Sequence, residues 1–377
     1  MIEQLPLKKK RILGLDLMRA VAIILVLFHH GFTLFEFPFI PIPDGVDIFF
    51  VLSGFLIGGI LIKTIVKQKG LSLADLKVFW FRRWFRTLPA YWFTLILNLV
   101  LCFFLNLQNI SIKDTLKLML LKEKLWQYFF FLQNLTSNMI AQFFPESWSL
   151  SVEEWFYLSL PIILFFSLKS NLKPYKAILL SIIIIISLPI FARYFFSDIH
   201  LKWNWLFTRM VVVMRLDSIG LGVLMAFIKY YKPVFWDKLA SFKILIYLGF
   251  FIYYFSFYII HENYYYFNSY TVTNLTLYIL MSFGVMITLP PLSKMTGNET
   301  IFNRAITFTS LISYSLYLLN YSFIMNIILH VLPKNISKFG EFISCLIFWI
   351  SNFILGNLMY KYVEQPFMKI RDKHFIE

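Results

Sequence analysis

The stretch Leu15-Asp-Leu-Met-Arg-Ala-Val-Ala-Ile-Ile-Leu-Val-Leu-Phe-His-His30 decides the fold class, because it is a long apolar run that carries ionisable side chains near both ends. A helix needs about 20 mostly apolar residues to cross a bilayer. Ten segments of the chain meet that criterion: 13–35, 46–66, 88–107, 149–168, 175–196, 206–228, 239–260, 270–291, 308–331 and 341–363. The sequence therefore predicts an all-α, polytopic membrane protein with about ten transmembrane helices.

The composition supports the same class. Of the 377 residues, 59% are hydrophobic and only 15% are charged, and the mean hydropathy is +0.71. Soluble domains carry about 25% charged residues, so a soluble enzyme and a disordered chain are both excluded. Cys102 and Cys345 lie in apolar stretches without a CxxC pattern, which excludes a disulfide scaffold and a zinc module.

The distribution of the basic residues predicts the orientation in the membrane. With the N-terminus in the cytoplasm, 24 Lys and Arg lie on the cytoplasmic side and 9 on the outer side. This is the bias of the positive-inside rule. The net charge of +15 is thus mostly cytoplasmic-face charge and requires no nucleic acid partner. The apolar stretch 125–135 is too short to cross, and we expect it to be interfacial or re-entrant.

Two ionisable residues of the first span share one face of the predicted helix. Arg19 and His30 are eleven residues apart, which at 100° per residue is only 20° beyond three full turns, and their axial separation is about 16 Å. Ionisable groups inside spans usually mark function. Arg19 could instead pair with Asp16 at i,i+3, and His30 could make an interhelical hydrogen bond. His29 points away from this face and is interpreted as structural.

Two carboxylates are predicted at a depth similar to that of His30. Glu153 lies near the outer end of the fourth span and Asp47 near that of the second. The pattern Ser151-x-x-Glu154 fits a capping box, which gives Glu154 a structural role. No such role accounts for Glu153.

Three arginines precede the third span. Arg82, Arg83 and Arg86 follow a loop that otherwise uses lysine, and Arg83 and Arg86 are i,i+3 neighbours. Lysine would serve equally well for anchoring to lipid phosphates, whereas the guanidinium fork binds phosphate bidentately. The pattern favours a phosphate-bearing ligand over simple anchoring.

The sixth span contains Arg215 and Asp217. Their i,i+2 spacing points them apart, so each needs a partner on another helix. This pattern is compatible with structural ion pairs between helices and also with a place in the lining of a site.

Together these motifs resemble the acyltransferase-3 family of integral membrane acyltransferases, and they occur in order over nearly the whole chain. They are Arg19-x10-His30, Gly45-Val-Asp-Ile-Phe-Phe-Val-Leu-Ser-Gly-Phe-Leu-Ile57, Arg83-x-x-Arg86 with Pro89, Trp148-Ser-Leu-Ser-Val-Glu153, Arg215-Leu-Asp217, Ser313-Tyr-Ser-Leu-Tyr-Leu318 and Val363-Glu-Gln-Pro366.

The resemblance implies an O-acyltransferase of the inner (cytoplasmic) membrane, with both termini in the cytoplasm. It would move an acyl group, usually acetyl, from cytosolic acyl-CoA to a hydroxyl of an envelope or exported carbohydrate, such as lipopolysaccharide O-antigen or an exopolysaccharide. Acyl-CoA is then a co-substrate, and no bound cofactor or metal is expected.

The roles implied by the resemblance concern a few residues. His30 would act as general base or as acyl-accepting nucleophile. Glu153, or alternatively Asp47, would orient its ring. Arg19 is expected to be catalytic together with His30 and Glu153, and it would lie along the path of the donor's pantetheine arm. The other expected site residues are Arg82, Arg83 and Arg86 for the donor phosphates, Ser53 and Tyr317 for hydrogen bonds and as possible lining, and Asp47, Trp148, Arg215 and Asp217 as further possible lining.

The chain departs from the family pattern after Leu318. Many members have Trp-His there, whereas this chain has Leu319-Asn320, so the role of a second histidine cannot be transferred. Residues 1–377 are expected to form a single transmembrane domain without an appended soluble catalytic domain. The segment 108–147, with Lys113, Lys117, Lys122 and Lys124, is the candidate acceptor-binding element.

Two other functions fit part of the pattern. A transporter or flippase of a lipid-linked sugar would explain ten spans and charges within them, but not the face shared by Arg19 and His30. An acyltransferase that acts on a small molecule or a protein would use the same donor site. The sequence hardly distinguishes such an enzyme from one that acts on an envelope carbohydrate.

Overall fold

The structure is a computed structural model that describes residues 11–31, 42–106, 125–135, 143–197, 209–266, 271–298, 300–331 and 337–375. These residues form helices and turns, with no β-strand among them. The lysines of the predicted acceptor-binding segment lie outside the described residues. The helices are α1 Leu13–Gly31, α2 Val46–Gln68, α3 Leu73–Asn106, α4 Trp126–Phe129, α5 Ser147–Lys169, α6 Pro174–Ser197, α7 Leu216–Tyr231, α8 Pro233–Ser241, α9 Ile244–Tyr266, α10 Thr271–Ser293, α11 Ile301–Leu319, α12 Asn326–Val331, α13 Lys338–Met359 and α14 Gln365–Phe375.

Within the described residues, nine helical segments are long and apolar enough to cross a membrane. They correspond to all the predicted spans except the sixth. There the structure has a short 3₁₀ turn, Val212–Met214, followed by the 16-residue helix α7. At 1.5 Å per residue, α7 is about 24 Å long, shorter than the roughly 30 Å hydrocarbon core. The chain is a multi-pass membrane protein.

Helix α3 begins 15 residues before the predicted third span. Ser72 and Asp75 form a reciprocal capping box at its start, with Ser72 N donating to Asp75 Oδ2 at 2.8 Å and Asp75 N donating to Ser72 Oγ at 3.2 Å. The arginine motif therefore lies on a continuous 34-residue helix, not in a loop. Arg83 and Arg86 consequently share a face, as their spacing predicts.

Helices α2 and α7 pack closely because glycines remove side chains from their contact. A Cβ atom at Gly54 would overlap the backbone oxygen of Ile219, and one at Gly222 would overlap that of Val51. Small residues allow such close approach between membrane helices. The contact places the start of α2 beside the start of α7.

The segment that follows α4 is packed against its neighbours. Tyr91 Oη donates to the carbonyl of Tyr128 at 2.8 Å, Trp155 Nε1 to that of Phe131 at 2.9 Å, and Asn134 Nδ2 to that of Trp148 at 2.9 Å. The prediction that 125–135 does not span is consistent with this, since its helix has four residues.

The predicted capping box at Ser151 is wrong. Helix α5 already begins at Ser147, so Ser151 lies inside it and donates to the carbonyl of Ser147. Glu154 instead accepts a hydrogen bond from Thr87 Oγ1 at 2.7 Å. It links α5 to α3.

Two π-helical segments interrupt the last long helices. They are Asn320–Met325, between α11 and α12, and Tyr360–Glu364, between α13 and α14. Such π-bulges are frequent at functional sites. The segment Asn320–Met325 is held by a side chain from another part of the chain. Glu146 Oε1 accepts hydrogen bonds from Ser322 N at 3.1 Å and from Ser322 Oγ at 2.5 Å.

Candidate active site

A polar cavity opens between α1, α2, α3, α5 and α11. Its volume is about 830 Å³ including the open mouth. Its described lining is Arg19, Val46, Phe49, Phe50, Leu52, Ser53, Leu56, Ile57, Arg83, Arg86, Thr87, Ser149, Leu150, Glu153, Tyr157, Ser313, Tyr314 and Tyr317.

Three arginines converge on this cavity. Arg83 and Arg86 come from α3, and Arg19 comes from α1. Within the described part of the chain, neither Arg83 nor Arg86 forms an ion pair with a carboxylate. Arg86 is exposed to the open space. These guanidinium groups are therefore available to an anionic ligand.

Arg19 is only weakly held by its predicted partner. Its Nη1 lies 3.5 Å from Asp16 Oδ1. The same carboxylate is bound more closely by Arg11, at 2.8 and 2.5 Å, and by Ser310 Oγ at 2.8 Å. Because Asp16 is shared in this way, the i,i+3 pair leaves much of the Arg19 charge facing the cavity.

Tyr157 contacts three polar residues of the cavity lining. Its hydroxyl donates to Glu153 Oε2 at 2.8 Å and accepts from Arg83 Nη2 at 3.0 Å. Since its one proton goes to Glu153, Ser53 Oγ must donate in the 2.7 Å contact with Tyr157 Oη. The guanidinium of Arg83 also lies 4.5 Å from the centre of the Tyr157 ring. The hydroxyl fixes both Arg83 and Glu153 in place.

The lining carries an excess of positive charge. Among its described residues Glu153 is the only carboxylate, against the three arginines. The aromatic and aliphatic walls reduce the local dielectric constant, which strengthens the attraction of an anion. Phosphate groups suit several guanidinium forks in one place.

Several predicted lining residues lie elsewhere. Asp47 is 1% exposed and pairs with Arg215, and Asp217 pairs with Arg193 from α6. Their charges are neutralised by these ion pairs, and neither they nor Arg215 belong to the described lining of the cavity, so the prediction that they line the site is corrected. Asp47 is also unavailable to orient His30, because it is bound to Arg215.

Trp148 and Arg82 are likewise outside the described lining. The Trp148 ring packs edge-on against Phe50 and lies 5.5 Å from the Arg209 guanidinium. Arg82 is exposed, about 100° around α3 from Arg83. The three arginines that line the cavity are Arg19, Arg83 and Arg86, whereas the sequence grouped Arg82 with Arg83 and Arg86.

His30 lies at the opposite end of α1 from Arg19. Because α1 is uninterrupted, the two residues share a face and are about 16 Å apart along the axis. The Nδ1 atom of His30 hydrogen-bonds Oδ1 of Asn320, and the ring of Tyr321 packs at 4.5 Å between centres. The neighbouring His29 contacts the backbone oxygen of Ile42 at 3.0 Å.

The residue that orients His30 thus differs from the predicted one. Glu153 lies six residues inside α5, about 9 Å from its start, and its carboxylate is engaged by Tyr157. The prediction of similar depth for Glu153 and His30 placed the start of this helix at residue 149, whereas α5 begins at Ser147. Asn320 makes the contact expected of Glu153, so a carboxylate–histidine pair is not what the structure shows here.

Tyr317 connects the cavity to the histidine. Its hydroxyl lines the cavity and lies 2.5 Å from Ser149 Oγ, and its backbone oxygen accepts from Asn320 Nδ2 at 2.7 Å. Asn320 follows Tyr317 by one turn on the same helix. Tyr317 therefore contributes to the cavity lining and also contacts Asn320, the residue that hydrogen-bonds His30.

Sequence reasoning missed Tyr157 and Asn320. The signal for Tyr157 was its position four residues after Glu153, which puts both on one helix face. Asn320 was noted only as a departure from the family pattern. No sequence signal placed its side chain against His30, because that contact depends on how α11 packs against α1.

The fold and this site define a multi-pass membrane protein with a cavity lined by three arginines and one carboxylate among its described residues. The chain belongs to the acyltransferase-3 family, since the family model described as an acyltransferase domain matches residues 12–361.

Two relatives of this chain are named O-acetyltransferases. The O-acetyltransferase OatA of Staphylococcus aureus (strain NCTC 8325 / PS 47) is 28% identical over 384 residues, covering 96% of this chain and 58% of that protein. The peptidoglycan O-acetyltransferase OatA of Listeria monocytogenes serovar 1/2a is 33% identical over 180 residues, covering 47% of this chain and 27% of that protein. The chain thus spans less than two thirds of the length of these relatives. No solved structure matches it.

Proposed function

We propose that this chain is a membrane O-acetyltransferase that moves an acetyl group from cytosolic acetyl-CoA to a hydroxyl of a cell-envelope carbohydrate polymer. The observation that carries the proposal is the convergence of Arg19, Arg83 and Arg86 on one cavity that contains a single carboxylate among its described residues. Membership of the acyltransferase family supplies the reaction class. The relative named a peptidoglycan O-acetyltransferase supports an envelope glycan as the acceptor.

The donor would enter from the arginine end. Arg83 and Arg86 are the first candidates for its phosphates, through charge-assisted hydrogen bonds. The excess of Lys and Arg in the segments on this side favours the cytoplasm. The narrow pantetheine arm would then run past Arg19, and the distance of about 16 Å between Arg19 and His30 is comparable with the length of such an arm.

The acetyl transfer would take place at His30. As general base, His30 accepts the proton of the acceptor hydroxyl while that oxygen bonds to the thioester carbonyl carbon. The carbon–sulfur bond then breaks, and the CoA sulfur takes the proton back from the imidazolium. In the nucleophilic alternative, the imidazole first accepts the acetyl group and releases CoA, and the acceptor oxygen then displaces the imidazole.

The experiment is acetyl transfer by the purified protein in detergent, with radiolabelled acetyl-CoA as donor and soluble peptidoglycan fragments as acceptor. Wild type is compared with His30→Ala and with His29→Ala, the matched control one residue away. We expect labelled glycan and released CoA from wild type and His29→Ala, and a loss of at least about 100-fold in His30→Ala, as for removal of a general base.

Size-exclusion profiles establish that all three proteins are folded. Full transfer by folded His30→Ala would exclude His30 from the chemistry. The transporter is tested with the same proteins reconstituted into vesicles: His30-dependent transport of unmodified glycan, without any release of CoA, would favour it instead.

A further inference from the structure

The contact between His30 and Asn320 has a chemical consequence that depends on which atoms face each other. Asn320 is fully buried, and His30 is half-buried beside it. The amide nitrogen of Asn320 donates to two backbone oxygens of its own helix, that of Leu316 at 3.1 Å and that of Tyr317 at 2.7 Å. Because these oxygens can only accept, the orientation of the amide is determined: Oδ1 faces His30.

An amide oxygen cannot donate a hydrogen bond. The imidazole nitrogen that meets it, Nδ1, must therefore carry the proton. In a neutral imidazole only one nitrogen is protonated, so the lone pair lies on Nε2. The hydrogen-bond network thus assigns the tautomer of His30.

The amide is held in this position by contacts with neighbouring helices. Asn320 is the first residue of the π-helical segment, whose backbone is tied to Glu146 through Ser322. Asn98 Nδ2 donates to the Ser322 hydroxyl at 2.7 Å. Tyr321 covers one face of the imidazole. These contacts restrict both partners of the hydrogen bond.

We propose that Asn320 is a positioning residue, which holds His30 in the tautomer protonated at Nδ1 and so makes Nε2 the atom that takes the acceptor's proton or the acetyl group. The statement about the tautomer stands on the contacts alone. The statement about Nε2 in the transfer rests on the proposed function. Asn320 itself need not touch either substrate.

The first experiment reads the tautomer without any turnover. The protein is labelled with ring-¹⁵N histidine, and the His30 signals are assigned as those missing from His30→Gln. We expect a protonated Nδ1 and an unprotonated Nε2 in wild type. A proton on Nε2 in wild type would overturn the proposal.

The second experiment compares Asn320→Leu, which removes the acceptor, with Asn320→Asp, which keeps one. The control is Asn352→Leu, because Asn352 is also fully buried and also donates to its own helix, at 2.8 Å to the Phe348 oxygen. We expect Asn320→Leu to lose the fixed tautomer and to lower kcat about 10- to 100-fold, the usual cost of losing an orienting partner. The KM for acetyl-CoA should stay unchanged. Asn320→Asp should keep the Nδ1 proton and transfer faster than Asn320→Leu.

An unchanged tautomer and kcat in folded Asn320→Leu would contradict the proposal. If that variant does not fold, the wild-type spectrum still decides the question. A wild type that shows the Nδ1 proton but transfers no acetyl group would contradict the proposed function while leaving the assignment of the tautomer intact.

Discussion

Arginines cluster in two regions of this protein, and the regions differ in what faces the guanidinium groups. At the junction of α2 with α7, each arginine meets a buried carboxylate: Arg215 with Asp47, Arg193 with Asp217 and Arg209 with Asp44. In the cavity, Arg83 and Arg86 line the open space, and neither forms an ion pair with a carboxylate among the described residues. A buried charge in an ion pair holds helices together, whereas a charge that lines a cavity without an ion pair is available to bind a ligand.

The comparison teaches that an ionisable group within a span is not by itself a sign of chemistry. Among the described residues, Arg215 is the largest side chain that is fully buried, and it is surrounded by Asp47 and the rings of Phe50 and Tyr278. Asp47 neutralises its charge, although its Nε and Nη1 atoms have no hydrogen-bond partner among the described residues. Its motif, Arg215-Leu-Asp217, therefore reads as part of the scaffold that supports the site.

The largest effect is expected from removing one partner of a buried ion pair at the junction of α2 with α7. Asp47→Ala leaves the Arg215 charge buried without its carboxylate, and losing one partner of a buried pair costs about 3–5 kcal/mol. We expect the purified variant to lose most of its folded fraction and to melt well below wild type. The measurement is thermal unfolding in detergent. Arg86→Ala serves as the control and should melt like wild type.

The opposite pattern of melting temperatures would contradict the assignment of Asp47 to the scaffold and of Arg86 to the site. If Asp47→Ala kept the wild-type melting temperature but lost acetyl transfer, Asp47 would belong to the site. If Arg86→Ala unfolded, Arg86 would belong to the scaffold.

A smaller effect is expected from conservative changes on α3. Lysine keeps the charge of arginine but loses the bidentate fork. Arg86→Lys should therefore raise the KM for acetyl-CoA about tenfold, which corresponds to roughly 1.4 kcal/mol of lost binding. The matched control is Arg82→Lys, since Arg82 lies outside the described lining. Steady-state kinetics of the two variants measure the difference.

Equal increases in KM for the two variants would restore the sequence-based prediction that Arg82 also binds the donor. No increase in either would leave membrane anchoring as the role of the motif.

Most of the fold follows from hydrophobic runs, because a span needs a long apolar segment whatever its partners. The extension of α3 back to Leu73 was missed, although the Ser72–Asp75 capping box that begins it is a pattern the sequence contains. The π-helical segments were missed as well. Those depend on tertiary contacts such as the one between Glu146 and Ser322.

The candidate site was predictable in part. Arg19, Arg83 and Arg86 could be chosen because of their position and type, and the structure brings them to one cavity. The partner of each buried charge was not predictable, because it depends on helix packing. For this reason Arg215 and Asp217 stayed open between two interpretations, and Asn320 could not be connected to His30.

The most direct test of the central claim is equilibrium binding to the wild-type protein of coenzyme A and of pantetheine, which has the same arm and thiol but no phosphates. If the unpaired arginines hold the phosphates, coenzyme A should bind, pantetheine should bind at least about tenfold more weakly, and Arg83→Ala with Arg86→Ala should remove the difference. Equal affinity of the wild-type protein for the two molecules would contradict the account.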